Sequence, residues 1–139
     1  MSEEMGPSVG LTVVHRRYVS YADAHYGGSL VDGAFSLALF GDVATELCIR
    51  TDGDEGLFAG YSDVAFHEAV RAGDVLEVSA ELVRVGRRSR EVAFEARVVC
   101  RAEPERSASA GRVLPVPLLA TAARGTVVVP GPAAGRSPA

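Results

Sequence analysis

Two carboxylates, Asp42 and Glu46, lie four residues apart in a stretch that is otherwise largely apolar. Residues four apart on a helix share one face, so both carboxylates point the same way. A buried carboxylate is costly unless it has a partner or a task, and perturbed carboxylates often act as general acids or bases. The spacing indicates a site for proton transfer, with Asp42 as the first candidate and Glu46 as the second. Alternatively, the two carboxylates pair with an arginine or cap a loop.

Two histidines are further candidates for contact with a ligand. His25 and Tyr26 stand in a short loop just before Gly27 and Gly28, and loops commonly carry binding residues. The alternative for His25 is a structural bond to the backbone. His67 lies in a segment that we expect to be extended, where a lone histidine is more often structural than catalytic.

Three arginines, Arg87, Arg88 and Arg90, cluster around a predicted hairpin turn. The guanidinium group binds phosphate bidentately, so this cluster is a candidate phosphate site, although a solvated turn explains it equally well. All 14 basic residues are arginine. Without lysine, the chain has no side chain for Schiff-base chemistry.

A long helix must position most of these residues. Residues 30–49 are too long an apolar stretch for a strand, and we expect a helix buried over most of its surface. Ser29 as the N-cap and Asp32 at the third helical position would form a capping box. Gly33 and Gly41 cost helix propensity, which indicates close approach of a backbone or a ligand.

Strands flank this helix on both sides. Alternation predicts one strand before the helix, at 11–19, and four extended segments after it, at 57–70, 75–85, 90–100 and 118–129. A hairpin-like turn is expected at 71–74. One helix cannot cover itself, but a curved antiparallel sheet can wrap it. The predicted class is therefore α+β, with a long central helix wrapped by a curved antiparallel sheet.

Composition sets limits on the class of protein. The 139 residues fit one domain, which we place at 11–129 between a flexible leader (1–10) and a disordered tail (130–139). A net charge of −4 argues against a nucleic-acid binder or a polybasic membrane module. The two cysteines lack the spacing of metal ligands. No signal peptide or membrane span is evident, so we expect a cytoplasmic protein.

Several motifs, in order and at matching spacings, together resemble one known family. They are DAHYGG (23–28), LVDGA (30–34), FGDVATEL (40–47), DGDEGLF (52–58), AGD (72–74) and FEA (94–96). This combination resembles the hotdog-fold 3-aminoacyl-CoA ammonia-lyases, which include the 3-aminobutyryl-CoA and β-alanyl-CoA enzymes. The resemblance covers about residues 20 to 100.

The resemblance implies a single hotdog subunit that forms a homodimer or a dimer-based oligomer. It implies reversible loss of ammonia from a 3-aminoacyl-CoA, giving a 2-enoyl-CoA, with no cofactor or metal beyond the coenzyme A of the substrate. Under this reading Asp42, Glu46 and His25 are catalytic candidates, and the Arg87–Arg90 cluster binds coenzyme A phosphates. Substrate-binding candidates are Tyr26, Gly27, Gly28, Asp32, Gly33 and His67. The Gly27 and Gly28 amides would form an oxyanion hole, or alternatively only a tight turn, and Asp32 is chiefly a cap.

The sequence departs from the family pattern around the helix start and before the AGD motif. The family usually has Asn at Ser29 and Arg at Phe35, and Ala-Pro where this chain reads FHEAV (66–70). A His-Glu-Ala stretch is closer to hotdog thioesterases in which that histidine is catalytic. The alternatives are therefore an acyl-CoA thioesterase, with His67 catalytic, or a non-catalytic acyl-CoA-binding protein.

Overall fold

One helix and five strands make up the part of the chain that the computed structural model describes, residues 8–131. The predicted leader and tail therefore lie mostly outside the described residues. Two short 3-10 turns, Tyr21–Asp23 and Gly27–Ser29, precede the helix. The main elements in chain order are β1 (Thr12–Tyr18), α1 (Gly33–Asp52), β2 (Leu57–Phe66), β3 (Val75–Val85), β4 (Ser89–Ala102) and β5 (Gly111–Val128).

The five strands form one antiparallel sheet in the order β1-β3-β4-β5-β2. The predicted hairpin-like turn at 71–74 is therefore wrong as a hairpin, because β2 and β3 are not neighbours. β3 has β1 on one side and β4 on the other, so β2 pairs with the remaining free edge of β5. The 71–74 turn instead leads the chain across from the β2 edge to β3.

The core lies between α1 and the inner face of the sheet, as the alternation predicted. Leu76, Val78, Ala80 and Leu82 of β3 are buried, and so are Val92, Phe94, Ala96 and Val98 of β4. The rings of Phe40 and Phe94 stack with 4.9 Å between centroids, joining helix to sheet. The predicted α+β class, with one long helix against a curved antiparallel sheet, is confirmed.

The helix starts three residues later than expected. Asp32, not Ser29, is the N-cap: its Oδ1 accepts a hydrogen bond from the Phe35 N–H at 3.2 Å. Ser29 has φ +61° and belongs to the preceding turn, so the predicted capping box is wrong. The capping role of Asp32 itself is confirmed. At the other end Gly53 adopts the left-handed conformation and closes the helix.

Only one stripe of α1 is buried within the single chain. The stripe is Ser36, Leu39, Phe40, Val43, Ala44, Leu47, Cys48 and Thr51, which recur with the helical period. Ala34, Ala38, Asp42 and Ile49 on the opposite side are exposed, so the expectation that most of the helix surface is buried is wrong for one chain. None of the helices in residues 8–131 is long and apolar enough to cross a membrane.

Candidate active site

Two segments are joined by backbone hydrogen bonds at the amino end of α1. The N–H of Val31 donates to the carbonyl of Val70 at 3.0 Å, and the N–H of Ala72 donates to the carbonyl of Ser29 at 2.8 Å. The N–H groups of His67 and Glu68 both donate to the carbonyl of Ala120, at 2.7 and 3.2 Å. The loop before the helix, the chain after β2 and strand β5 thus meet at one place.

A cleft of about 420 Å³ opens where these three segments meet. It combines apolar walls with hydroxyl, imidazole and carboxylate groups, which is typical of a small-molecule site. Four predicted substrate-binding residues line it: Tyr26, Asp32, Gly33 and His67. The other lining residues are Leu30, Val31, Ser36, Phe66, Glu68, Ala69, Val70 and Thr121.

The first turn of α1 forms one wall of this cleft. Asp32 binds the Phe35 amide, whereas the Gly33 and Ala34 amides, as the first of a helix, have no intrahelical acceptor. A Cβ at Gly33 would stand 2.6 Å from the ring carbons of Phe66, so glycine permits that ring to lie against the helix start. The close approach that was expected at Gly33 is therefore present. At Gly41 it is not, because a Cβ there would have no neighbour within 4 Å.

The loop residues His25, Gly27 and Gly28 border the cleft without lining it. Nδ1 of His25 lies 3.9 Å from Oδ2 of Asp32, and the imidazole is largely exposed. Gly27 and Gly28 form a separate turn ahead of the helix cap, with Gly28 at φ +76°. Gly33 of the first helical turn lines the cleft and the two loop glycines do not, so their oxyanion role stays a prediction.

The two carboxylates of the helix motif have different surroundings. Glu46 hydrogen-bonds to His15 Nε2 at 2.7 Å and accepts from Arg50 Nε at 2.8 Å, and these bonds lower the pKa of Glu46 below its usual range. A paired carboxylate of this kind corresponds to the structural alternative for Glu46, and its catalytic role stays a prediction. Asp42 is exposed and makes no hydrogen bond or ion pair within residues 8–131.

The position of Asp42 matters for any catalytic role. It lies ten residues beyond Asp32, which corresponds to about 15 Å along the helix axis at 1.5 Å per residue. Asp42 is therefore remote from the cleft of its own chain. A catalytic contact by this carboxylate would have to be made to the cleft of a second copy.

The arginine cluster lies at the opposite end of the helix from the cleft. Arg90 is buried and binds Asp52 bidentately, at 2.7 and 2.9 Å, and its Nη1 donates to the carbonyls of Gly86 and Ser89. This arrangement occupies the guanidinium, so the predicted phosphate contact by Arg90 is wrong. Arg87 and Arg88 are exposed beside it and remain predicted phosphate ligands.

Eight residues that line the cleft were not predicted from the sequence, and among them are Ser36, Phe66, Glu68 and Thr121. Ser36 had a usable signal, since it lies four residues after Asp32 and shares its helix face. Phe66 and Glu68 flank His67. Thr121 had no signal, because its place follows from the pairing of β5 with β2, in which it stands opposite Phe66. No cluster of three metal-ligating side chains occurs in the described range.

Comparison with known proteins identifies the fold class first. A family model described as the thioesterase superfamily matches residues 28–102. The β-alanyl-CoA:ammonia lyase from Clostridium propionicum superposes with a TM-score of 0.82 at 36% identity, covering 88% of this chain and 87% of that one. A hexameric hotdog-fold thioesterase of Campylobacter jejuni superposes with a TM-score of 0.69 at 18% identity, over 84% and 80% of the two chains, and shows the fold alone.

Sequence similarity then narrows the family. The 3-aminobutyryl-CoA ammonia lyase of Acetoanaerobium sticklandii is 52% identical over 112 residues, which cover 81% of this chain and 89% of that protein. This chain belongs to the hotdog-fold thioesterase superfamily and, within it, to the family of the 3-aminobutyryl-CoA ammonia lyase. The resemblance drawn from the motifs is therefore confirmed.

Proposed function

We propose that this protein is an ammonia lyase that eliminates ammonia reversibly from a 3-aminoacyl-CoA of the 3-aminobutyryl-CoA type. The observation that carries the proposal is the 52% identity with the Acetoanaerobium sticklandii 3-aminobutyryl-CoA ammonia lyase over most of both chains. The cleft at the amino end of α1 is the proposed site of the thioester. The reaction needs no metal or organic cofactor besides the coenzyme A of the substrate.

The first turn of the helix suits the charge that develops in this reaction. A base removes the proton from Cα, and negative charge then accumulates on the thioester oxygen as an enolate. The free amides of Gly33 and Ala34 and the positive end of the helix dipole favour that charge. We therefore propose these amides, rather than those of Gly27 and Gly28, as the oxyanion donors.

The candidate bases are carboxylates and imidazoles, which commonly act as general bases, and the chain has no lysine. We propose Asp42, which has no partner in residues 8–131 and stands on the exposed side of α1, acting on the cleft of a second copy. His67 and Glu68 line the cleft of their own chain and are the groups that would serve if one chain is complete. Replacing Asp42 in one variant, and His67 and Glu68 in another, separates a base from a second copy from a base in the same chain.

Assembly into a homodimer or dimer-based oligomer is part of this proposal. The outer edge of β2 has no partner strand in the described chain, and an open strand edge favours pairing with another copy. The exposed side of α1 presents the small residues Ala34 and Ala38 beside Asp42. We further propose that Arg87 and Arg88 contact the coenzyme A phosphates, and that the enzyme works in the cytoplasm.

The direct test is the addition reaction. Purified protein incubated with crotonyl-CoA and ammonium should consume the enoyl thioester, followed as a fall in its ultraviolet absorbance, and mass spectrometry should detect the aminoacyl-CoA. Crotonyl-CoA without ammonium is the control. No turnover of crotonyl-CoA or acryloyl-CoA at high ammonium concentration would reject the proposal.

A thioesterase is the second candidate, because His67 faces the cleft and the matched family model is that of the thioesterase superfamily. Its product would be free coenzyme A, which a colorimetric thiol reagent detects. Thiol release that is lost in His67→Ala, without any ammonium-dependent loss of crotonyl-CoA, would favour the thioesterase. Tight binding of coenzyme A without either reaction would favour a binding protein.

A further inference from the structure

Two hydroxyl groups lie together at the floor of the cleft. Ser36 of α1 and Thr121 of β5 are each only 2% exposed, and Thr121 Oγ1 donates to Ser36 Oγ across 3.4 Å. Neither hydroxyl has another hydrogen-bond partner within residues 8–131. Both residues nevertheless line the cleft, so the pair is a buried polar spot that faces the ligand space.

The location of the pair is fixed by the surrounding elements. Ser36 follows the Gly33 and Ala34 amides by less than one turn, on the face of α1 that looks into the cleft. Thr121 stands on β5 next to Ala120, whose carbonyl holds the chain at His67 and Glu68. A thioester bound at the helix start would therefore share the cleft with these two hydroxyls.

The two hydroxyls have hydrogen-bonding capacity that their mutual bond does not use. Two hydroxyls contribute two donors and several lone pairs, and their mutual bond uses only one donor. One O–H group and several lone pairs remain for a ligand. A buried donor without an acceptor is costly, so a ligand that accepts this hydrogen bond gains affinity.

Ammonia matches that remaining capacity. Its lone pair accepts one hydrogen bond and its N–H groups donate, whereas a carboxylate offers acceptors only and favours the ammonium ion. Neutral ammonia is the species released in the elimination and the nucleophile in the addition. A neutral donor and acceptor pair can hold it without protonating it.

We propose that Ser36 and Thr121 form the ammonia subsite of this enzyme, an inference that rests on the proposed lyase function. In the elimination, the base takes the proton from Cα and the C–H electron pair forms the enolate, which then collapses to give the Cα–Cβ double bond. The C–N bond of the 3-ammonium group breaks and its electron pair stays on nitrogen, so neutral ammonia leaves into the hydroxyl pair. Addition is the reverse of these steps.

The test measures the KM for ammonia in the addition reaction, at saturating crotonyl-CoA, fixed pH and constant ionic strength. Ser36→Ala and Thr121→Val are each expected to raise this KM about five- to tenfold, the effect of one hydrogen bond. The KM for crotonyl-CoA should stay within about twofold, because the thioester contacts are made elsewhere. Thr121→Ser keeps the hydroxyl and should retain a KM for ammonia near that of the wild type.

A matched control is Thr51→Val, which makes the same change at an equally buried threonine near the far end of α1. It should leave the KM for ammonia unchanged even if it lowers the melting temperature. Circular dichroism checks folding, and if one cleft variant fails to fold, the other decides. If the wild-type enzyme turns over crotonyl-CoA and the folded variants show an unchanged KM for ammonia, the subsite alone is overturned. If the wild-type enzyme shows no turnover, the lyase proposal and the subsite are overturned together.

Discussion

Asp32 links the start of the helix to the loop that contains His25. One carboxylate oxygen accepts the Phe35 N–H at 3.2 Å, and the other lies 3.9 Å from Nδ1 of His25. A single side chain therefore fixes where α1 begins and places a negative charge beside the loop imidazole. Because Asp32 also lines the cleft, any change in it reaches the candidate site directly.

Asp32→Ala should lower the free energy of unfolding by about 1 kcal/mol, since it removes the N-cap hydrogen bond. Asp32→Asn keeps an oxygen for the cap and loses the charge next to His25, so it should be close to the wild type in stability. Urea unfolding curves compare the two variants. Equal destabilisation by both would contradict the capping explanation.

Gly33→Ala should disturb the cleft more than the fold. The added Cβ would stand 2.6 Å from the Phe66 ring, and that ring is 57% exposed and so has space to move. We expect a raised KM for crotonyl-CoA with a melting temperature within a few degrees of the wild type. Gly41→Ala, on the same helix with nothing within 4 Å of its Cβ, is the control and should leave that KM unaltered. An unchanged KM in Gly33→Ala would show that the ring position is irrelevant.

The buried Asp52–Arg90 pair should make stability depend on pH. The hydrogen bonds from Arg90 lower the pKa of Asp52 below its usual value. The contribution of the pair to the free energy of unfolding is therefore complete above the unfolded-state pKa of Asp52, about 4. It is lost as the pH falls further, through the pKa of Asp52 in the folded state. Unfolding free energies measured from pH 7 downwards should show this decline, and Asp52→Asn should flatten it.

Asp52→Asn should also cost about 3 kcal/mol at neutral pH, because it leaves the Arg90 charge buried without its partner. The control is Glu91→Gln, which breaks the exposed pair with Arg124. That pair should contribute less than about 1 kcal/mol. Similar losses in the two variants would argue against a special role for the buried pair.

Asp42→Asn should remove most turnover while changing the free energy of unfolding by less than about 0.5 kcal/mol, as expected for an exposed side chain. If Asp42 is the base, His67→Ala/Glu68→Ala should retain turnover. If His67 or Glu68 is the base instead, the double variant should lose turnover and Asp42→Asn should keep it. Wild-type turnover by Asp42→Asn would reject Asp42 as the base.

The two cysteines should differ in reactivity. Burial raises the pKa of the Cys48 thiol to about 11, so little thiolate exists at neutral pH. Cys100 is partly exposed. A thiol reagent should therefore modify Cys100 in the native protein and reach Cys48 only after unfolding, as peptide mass spectrometry can establish. Rapid native modification of Cys48 would contradict the core packing.

Periodicity in the sequence was sufficient for much of the architecture. The alternation in β3 and β4 predicted their buried faces, because side chains of a strand alternate and only one face meets the helix. The long apolar run predicted α1, and the motif order indicated the family. These are local properties, and each can be read from residues that are close together in the chain.

Contacts between distant segments were decided only by the tertiary structure. Thr121 reaches Ser36, from which it is 85 positions away in the sequence, because β5 pairs with β2 beside the helix start, and the sequence does not reveal this register. Arg90 is occupied by Asp52, 38 residues away, and so is not the free phosphate ligand that its hairpin position indicated. The distance between Asp42 and the cleft was also decided by the tertiary structure. The cleft lies at the start of α1, and the rise of the helix places Asp42 about 15 Å further along its axis.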